Sequence, residues 1–178
     1  PPPPTEPKPL PRRRRRSDKP HITHVADRQV GPNLHLEAYW VGPPFGPGPG
    51  ASLFAFREEI LRFDPFGGNA GHFHFNPDQV WRLGKRTARI HFPEGSARSH
   101  MERAHFELAK NTSVALRSSM KEHIRALEVD DDSLRSAADF MLSHWLDVAR
   151  ELVVDIDDEA GLEADDPDSD EAPAAAAT

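Results

Sequence analysis

The sequence predicts an α+β domain in which an antiparallel sheet of about four to five strands carries two C-terminal helices packed on one face. Two observations lead to this fold class. Alternating apolar and polar residues, typical of half-buried strands, are found before residue 93. Apolar residues three or four positions apart, typical of amphipathic helices, follow from about residue 97. Strands followed by helices favour separate layers over an alternating α/β arrangement.

The clearest strand pattern is Leu34–Val41, in which every second residue from Leu34 to Trp40 is apolar. The Gly- and Pro-rich residues 42–50 predict an irregular loop, because proline cannot donate to a strand ladder. Other segments with strand character complete the expected sheet: a hairpin of residues 53–56 and 60–64, then His72–Phe75, and then residues 87–92.

The helical part of the chain is predicted as two elements. The first extends from about residue 97 to 128, with an irregularity at residues 111–113, where Asn, Thr and Ser compete for backbone hydrogen bonds. The second follows the acidic residues 130–132, has Ser133 as its N-cap, and continues to about residue 154. Its apolar residues are Leu134, Ala138, Met141, Trp145, Val148 and Leu152.

Both ends of the chain differ in composition from the middle. Residues 1–20 are rich in proline and arginine and carry a net charge of +5, whereas residues 155–178 are acidic and carry −10. Neither segment offers enough apolar surface to offset the entropy of ordering it, so both are expected to be disordered tails. The total charge of −7 leaves −2 for residues 21–154, which are expected to form a single α+β domain.

The composition also limits the class of protein. The chain has no cysteine, which excludes a disulfide framework and a thiolate metal site and fits a cytoplasmic location. No apolar stretch is long enough to cross a bilayer, so no membrane partner is expected. Nucleic-acid binding by the basic run of the first tail is not favoured, because no aromatic residue lies within the run to stack on bases. The run consists of Arg12, Arg13, Arg14, Arg15 and Arg16.

The most polar strand pair is predicted at residues 60–64 and 72–75, joined by the loop PFGGNAG. In an antiparallel hairpin across this loop, Asp64 lies opposite His72 and Arg62 lies opposite His74. Since side chains alternate faces along a strand, these polar residues share one face. The other face is apolar and consists of Leu61, Phe63, Phe73 and Phe75.

Neighbouring strands are expected to add to the polar face His35, Glu37, Arg89 and His91. Three interpretations of this face are open. The first is a solvated sheet surface on which the charged residues pair across strands. The second is a metal site, because residues i and i+2 of a strand project two imidazoles to one side, and Asp64 or His91 completes the set. The third is acid–base catalysis on a phosphodiester, with an arginine holding the phosphate.

The position of Arg62 argues against a metal ion. In the expected register its guanidinium lies opposite His74, where it would repel a cation and favour a phosphate or carboxylate group. We therefore expect an anionic ligand on this face, and neither a stoichiometric metal nor a cofactor. The candidate catalytic residues are His72, His74, Arg62 and Asp64.

The two polar strands carry a sequence resemblance. Residues 61–64 read LRFD and residues 71–74 read GHFH. This LRFD…GHxH pattern resembles uncharacterised bacterial domains of unknown function. Its Arg-aromatic-Asp and His-x-His spacing is similar to that of small toxin proteins of the TumE type, from toxin–antitoxin pairs. The second resemblance implies a toxin-like activity and an antitoxin-like protein partner.

The sequence favours a binding or interaction module, because it lacks a complete catalytic motif. It has no Gly-rich phosphate loop at a strand-to-helix junction, no nucleophile elbow and no paired-histidine motif of the zinc proteases. We expect a cytoplasmic bacterial domain that binds a protein or an anionic ligand through its polar sheet face. The alternative is a toxin-like enzyme that cleaves RNA or another phosphodiester through His72, His74 and Arg62.

Overall fold

A computed structural model describes residues 19–42, 47–84 and 88–162 of the chain. Within these residues, six antiparallel strands form one sheet and follow chain order from one edge to the other. Long helices pack on one face of this sheet. The predicted α+β class is confirmed, with six strands in place of the expected four to five.

The strands are β1 (Ile22–Gly31), β2 (Leu34–Val41), β3 (Gly48–Ala55), β4 (Glu58–Asp64), β5 (His72–Phe75) and β6 (Ile90–His91). The sequence pattern did not predict β1, which is an edge strand with polar residues on both faces. Its pairing with β2 is irregular between Thr23 and Ala26, where His24 has a positive φ of 48°. An edge strand tolerates such an irregularity because, within the described part of the chain, its outer side pairs with no other strand.

Two strands differ in extent from their predictions. β3 begins at Gly48, inside the segment predicted as an irregular loop, and Pro49 pairs with Trp40 of β2. This pairing is possible because Gly48 and Gly50 lack a Cβ, which would overlap the rings of Phe66 and Tyr39. β6 is shorter than the strand predicted at residues 87–92, of which residue 87 lies outside the described residues.

The helices are α1 (Pro77–Arg82), α2 (Ala97–Arg117), α3 (Glu122–Arg125) and α4 (Asp131–Leu152). The irregularity predicted at residues 111–113 is absent from α2. There the Thr112 hydroxyl donates to the Leu108 carbonyl at 2.6 Å, so this side chain bonds within the helix. α2 also ends at Arg117, well before the predicted residue 128.

The start of α4 differs from its prediction by one turn. The N-cap is Asp130 and not Ser133, because the Asp130 carboxylate accepts the backbone N–H of Ser133 at 2.7 Å. A hydrogen bond from the Ser133 hydroxyl, together with this backbone hydrogen bond, lowers the pKa of Asp130.

The main core lies between the sheet and helices α2 and α4. Its largest fully buried side chains include Trp40, Phe63, Met101, Leu108 and Trp145. The indole N–H of Trp145 donates to the Gly50 carbonyl at 3.0 Å, which ties α4 to β3. Among the described residues, no helix is both long and apolar enough to cross a membrane.

The chain after α4 packs back onto the domain. Ile156 is buried in the core, and its carbonyl accepts the Arg98 backbone N–H at 2.8 Å. The Leu162 N–H donates to the Phe66 carbonyl at 2.7 Å. Packing therefore continues to Leu162, beyond the domain boundary predicted at residue 154. Residues 1–18, with the arginine run, and residues 163–178 lie outside the described residues.

Candidate functional site

The strand register predicted for the polar hairpin is the register of the structure. Asp64 of β4 pairs with His72 of β5, and Arg62 pairs with His74. The apolar partners on the opposite face belong to, or pack against, the main core; they are Leu61, Phe63, Phe73 and Phe75. The sorting of the two faces is therefore confirmed. We call the sheet face turned away from α2 and α4 the outer face.

A row of polar residues crosses the outer face from strand to strand. Glu37 pairs with Ser52, Ser52 with Arg62, and Arg62 with His74. These side chains are buried, at relative exposures of 1%, 0%, 8% and 1% respectively. The outer face is therefore not a solvated sheet surface at this row. Burying ionisable groups is costly unless each is hydrogen bonded or paired, so the stability of this row depends on the partners of its side chains.

A second, smaller apolar cluster helps to bury the outer face. It consists of Ile22, Tyr39, Val41 and Phe66, with Val25 packed against it. Phe66 comes from the loop between β4 and β5, two residues after the end of β4. Tyr39 alternates with His35 and Glu37 along β2 and so lies on the outer face, but the sequence gave no signal that a loop residue would cover it.

Glu59 is a buried member of the outer face that the sequence pattern missed. The β3–β4 register shifts between Leu53 and Phe54, so Ile60 is an extra residue in β4. Ile60 and Leu61 both lie in the main core as a result, and Glu59 accepts a hydrogen bond from the Ser52 hydroxyl at 2.5 Å. Two consecutive apolar residues inside an alternating strand are the sequence signal of this bulge.

Four residues of the hairpin form one connected group, which we call the His–Arg–Asp cluster: Arg62, Asp64, His72 and His74. The guanidinium of Arg62 lies at its centre. Its Nε–H donates to Asp64 Oδ2 at 3.1 Å, and its Nη2–H donates to His74 Nε2 at 2.8 Å. The four candidate residues predicted from the sequence are therefore brought together.

Backbone carbonyls fix the orientation of both histidines. His72 Nδ1 lies 2.7 Å from the Ala70 carbonyl, and His74 Nδ1 lies 3.1 Å from the Ala88 carbonyl. A carbonyl can only accept, so the proton of each neutral ring is assigned to Nδ1. Both Nε2 atoms are then left as acceptors that face Asp64.

Three acceptor atoms consequently converge on one point. His72 Nε2 and His74 Nε2 lie 3.6 and 3.7 Å from Asp64 Oδ2. One ligand atom from each of these three residues lies within 4.8 Å of the other two, a separation that suits a shared metal ion. Histidines that bind metals usually donate their second ring N–H to a carbonyl or carboxylate, as both do here.

The other histidines predicted for this face lie outside the convergence point. His91 pairs with His72 across β5 and β6, and their ring centroids are 5.7 Å apart, but its side chain is exposed. His35 stacks on Phe54 at 5.0 Å, at the far end of the outer face. Arg89 is partly buried and comes just before β6.

His100 supports the loop that connects the two strands of the cluster, although the sequence gave it no role. Its Nδ1 accepts the Gly67 backbone N–H at 3.1 Å, and its Nε2–H donates to the Pro93 carbonyl at 2.8 Å. A Cβ on Gly71 would overlap its ring, so only glycine fits there. Burial lowers the pKa of His100 below 6.5, and the bond to Pro93 offsets only part of this effect.

No known protein family, curated protein or solved structure matches this chain in the three comparisons made. The resemblance of the LRFD…GHxH residues to bacterial domains and to TumE-type toxins therefore stays a prediction. The geometry of the His–Arg–Asp cluster is the basis for the function proposed below.

Proposed function

We propose that this protein is a cytoplasmic bacterial binding module whose ligand is a divalent cation held by Asp64, His72 and His74. The observation that carries the proposal is the convergence of three acceptor atoms, two from buried imidazoles and one from the partly buried Asp64 carboxylate. The bacterial part of the proposal rests on the LRFD…GHxH resemblance. The cytoplasmic part rests on the absence of cysteine.

The tautomers of the two histidines support a cation as the ligand. The Ala70 and Ala88 carbonyls hold both Nδ1 protons, so both Nε2 atoms are acceptors close to the Asp64 carboxylate. In the metal-free protein the Arg62 guanidinium donates both to His74 Nε2 and to Asp64. Acceptors that face one another repel unless a cation or a proton lies between them. Two imidazole nitrogens and one carboxylate oxygen are a ligand set that zinc and similar divalent ions prefer.

The direction of the Arg62 side chain makes an anionic ligand less favourable than the sequence suggested. Arg62 points into the cluster, where Nε and Nη2 already donate to Asp64 and His74. A phosphate or carboxylate ligand would have to compete with the Asp64 carboxylate for the same guanidinium. Because the side chain is buried at 8% exposure, such a ligand would also have to enter the covered part of the sheet.

Zinc titration of the full chain tests this proposal. We expect calorimetry to show about one zinc ion bound per chain, with saturable binding abolished in His72→Ala, His74→Ala and Asp64→Asn. His105→Ala is the matched control, because His105 faces Asp139 on the exposed surface of the helices, at 2.7 Å. The proposal fails if the natural chain shows no saturable binding, or if binding survives the loss of His72.

A second candidate function is a toxin-like enzyme that cleaves RNA or another phosphodiester, with an antitoxin-like protein as its partner. It is favoured by the number of ligands, since three protein groups leave one position of a four-coordinate ion for water. Direct acid–base catalysis by His72 and His74 has less support, because both ring nitrogens of His74 are hydrogen bonded to protein groups.

Growth assays and RNA cleavage assays test the second candidate. Zinc-dependent cleavage and growth inhibition in bacteria should both be lost in His72→Ala and kept in His105→Ala. Zinc binding without any cleavage of RNA would leave the protein as a binding module.

A further inference from the structure

We propose that the Arg62 guanidinium occupies the ligand atoms of the metal site in the metal-free protein. A divalent ion must displace this guanidinium in order to bind. This inference rests on the function proposed above and concerns the regulation of the same site. Arg62 would then lower the metal affinity of the protein by competing with the ion, whereas a residue that merely supports the fold would not.

The contacts of Arg62 coincide with the ligand set. Of the three converging atoms, Asp64 Oδ2 receives the Nε–H of Arg62 at 3.1 Å, and His74 Nε2 receives its Nη2–H at 2.8 Å. These same two atoms, with His72 Nε2, are the atoms a metal ion would bind. One guanidinium therefore satisfies two of the three ligand atoms.

The guanidinium is suited to this role by its shape and charge. Its planar array of N–H groups can donate to two acceptors at once, and it keeps its positive charge at any pH at which the protein is folded. It therefore offsets the charge of Asp64, whose side chain is only 13% exposed. The metal-free cluster is thus stable without an ion, and a metal must replace these hydrogen bonds in order to bind.

The effect of removing Arg62 on metal affinity distinguishes competition from structural support, because the two roles predict opposite signs. If Arg62 only supported the cluster, its removal would loosen the ligands and weaken metal binding, as the loss of a supporting residue usually does. If Arg62 competes with the metal, its removal leaves Asp64 without this counter-charge and frees two ligand atoms. Metal binding then becomes tighter while the metal-free protein becomes less stable.

The test compares zinc affinity in the natural chain, Arg62→Met and Arg62→Lys, by calorimetry at one fixed pH. We expect Arg62→Met to bind zinc on the order of 10- to 100-fold more tightly than the natural chain, because the metal no longer has to displace a hydrogen bond between charged groups. Arg62→Lys should fall between the two, because a single ammonium lacks the paired donors of guanidinium. Arg103→Met is the control, since Arg103 pairs with Glu107 on α2 and should leave zinc affinity unchanged.

Thermal unfolding gives a second readout. Without zinc, Arg62→Met should melt at a lower temperature than the natural chain, and added zinc should raise its melting temperature by more. If Arg62→Met does not fold, Arg62→Lys decides the question by the same measurements.

Unchanged or weaker zinc binding in both variants overturns the role of Arg62, while zinc binding by the natural chain would still support the proposed function. Zinc binding by Arg62→Met alone, lost again on adding His72→Ala, supports the role of Arg62 but excludes metal binding by the natural chain. An absence of saturable binding in every variant overturns both proposals.

Discussion

At the scale of single residues, His100 fixes the position of the loop that separates Asp64 from His72. It is neutral when folded, because Nδ1 accepts the Gly67 N–H and a proton there would meet that donor. Its lowered pKa means that the unfolded chain binds a proton more readily than the folded protein does. His100 therefore links the stability of this loop to pH.

The free energy of unfolding should fall as the pH decreases below 6.5, the ordinary pKa of histidine. Between that pH and the lowered pKa of the folded protein, only the unfolded chain protonates His100, so each step towards acid favours unfolding. Urea denaturation between about pH 5 and 8 measures the effect. Above pH 6.5, His100 is expected to make its full contribution to the free energy of unfolding.

The contribution of His100 is measured as a difference between variants, because the chain has nine other histidines. His100→Asn should reduce the loss of stability between about pH 6.5 and 5. An equal pH dependence in the natural chain and His100→Asn would contradict the assignment.

At the scale of single elements, the end of α4 carries a strained backbone. Val153 is the C-cap of α4 and has left-handed φ and ψ of 55° and 43°. Glycine is favoured at such a position, because a β-branched side chain crowds the following carbonyl group. The Val153 side chain is 90% exposed, so its loss removes little packing.

Val153→Gly should therefore stabilise the protein by about 0.5–1 kcal/mol. This is the strain relieved in the left-handed conformation minus the extra conformational entropy that glycine loses on folding. Val153→Ala is the matched control, since alanine also loses the valine side chain but keeps a Cβ. Urea denaturation of both variants measures the difference. A gain as large in Val153→Ala as in Val153→Gly would show that the backbone conformation is not the cause.

At the scale of the whole molecule, the chain after α4 connects three parts of the domain. Ile156 enters the main core, the Ile156 carbonyl holds the start of α2 through Arg98, and Leu162 bonds to Phe66 in the loop of the cluster. A side-chain ion pair between Arg98 and Asp157 reinforces the contact and raises the pKa of Arg98. Although acidic in composition, residues 155–162 belong to the packed domain.

Truncation after residue 154 should lower the melting temperature, by on the order of 5–10 °C, because it removes the buried side chain of Ile156. Truncation after residue 162 is the control, since the removed residues offer little apolar sequence beyond alanine. Equal melting temperatures for the two truncated chains would show that residues 155–162 contribute no stability.

The sequence by itself determined the α+β class, the strands from β2 to β6, the two long helices and the composition of the site. Alternation at i and i+2 placed Arg62, Asp64, His72 and His74 on one face, and the loop of residues 65–71 set their register, as the structure confirms. These features depend on neighbours along the chain and across one hairpin. A slip by one residue would have buried charges in the main core, so the local pattern admitted one register.

Only the tertiary structure decided how these residues are buried and which groups they contact. The burial of the outer face depends on Phe66 and Ile22, and the support of the loop depends on His100, 33 residues from Gly67. The direction of Arg62, into the cluster and not towards solvent, is set by its hydrogen bonds to Asp64 and His74. Such features depend on side-chain rotamers and on contacts distant in sequence, which a strand pattern does not encode.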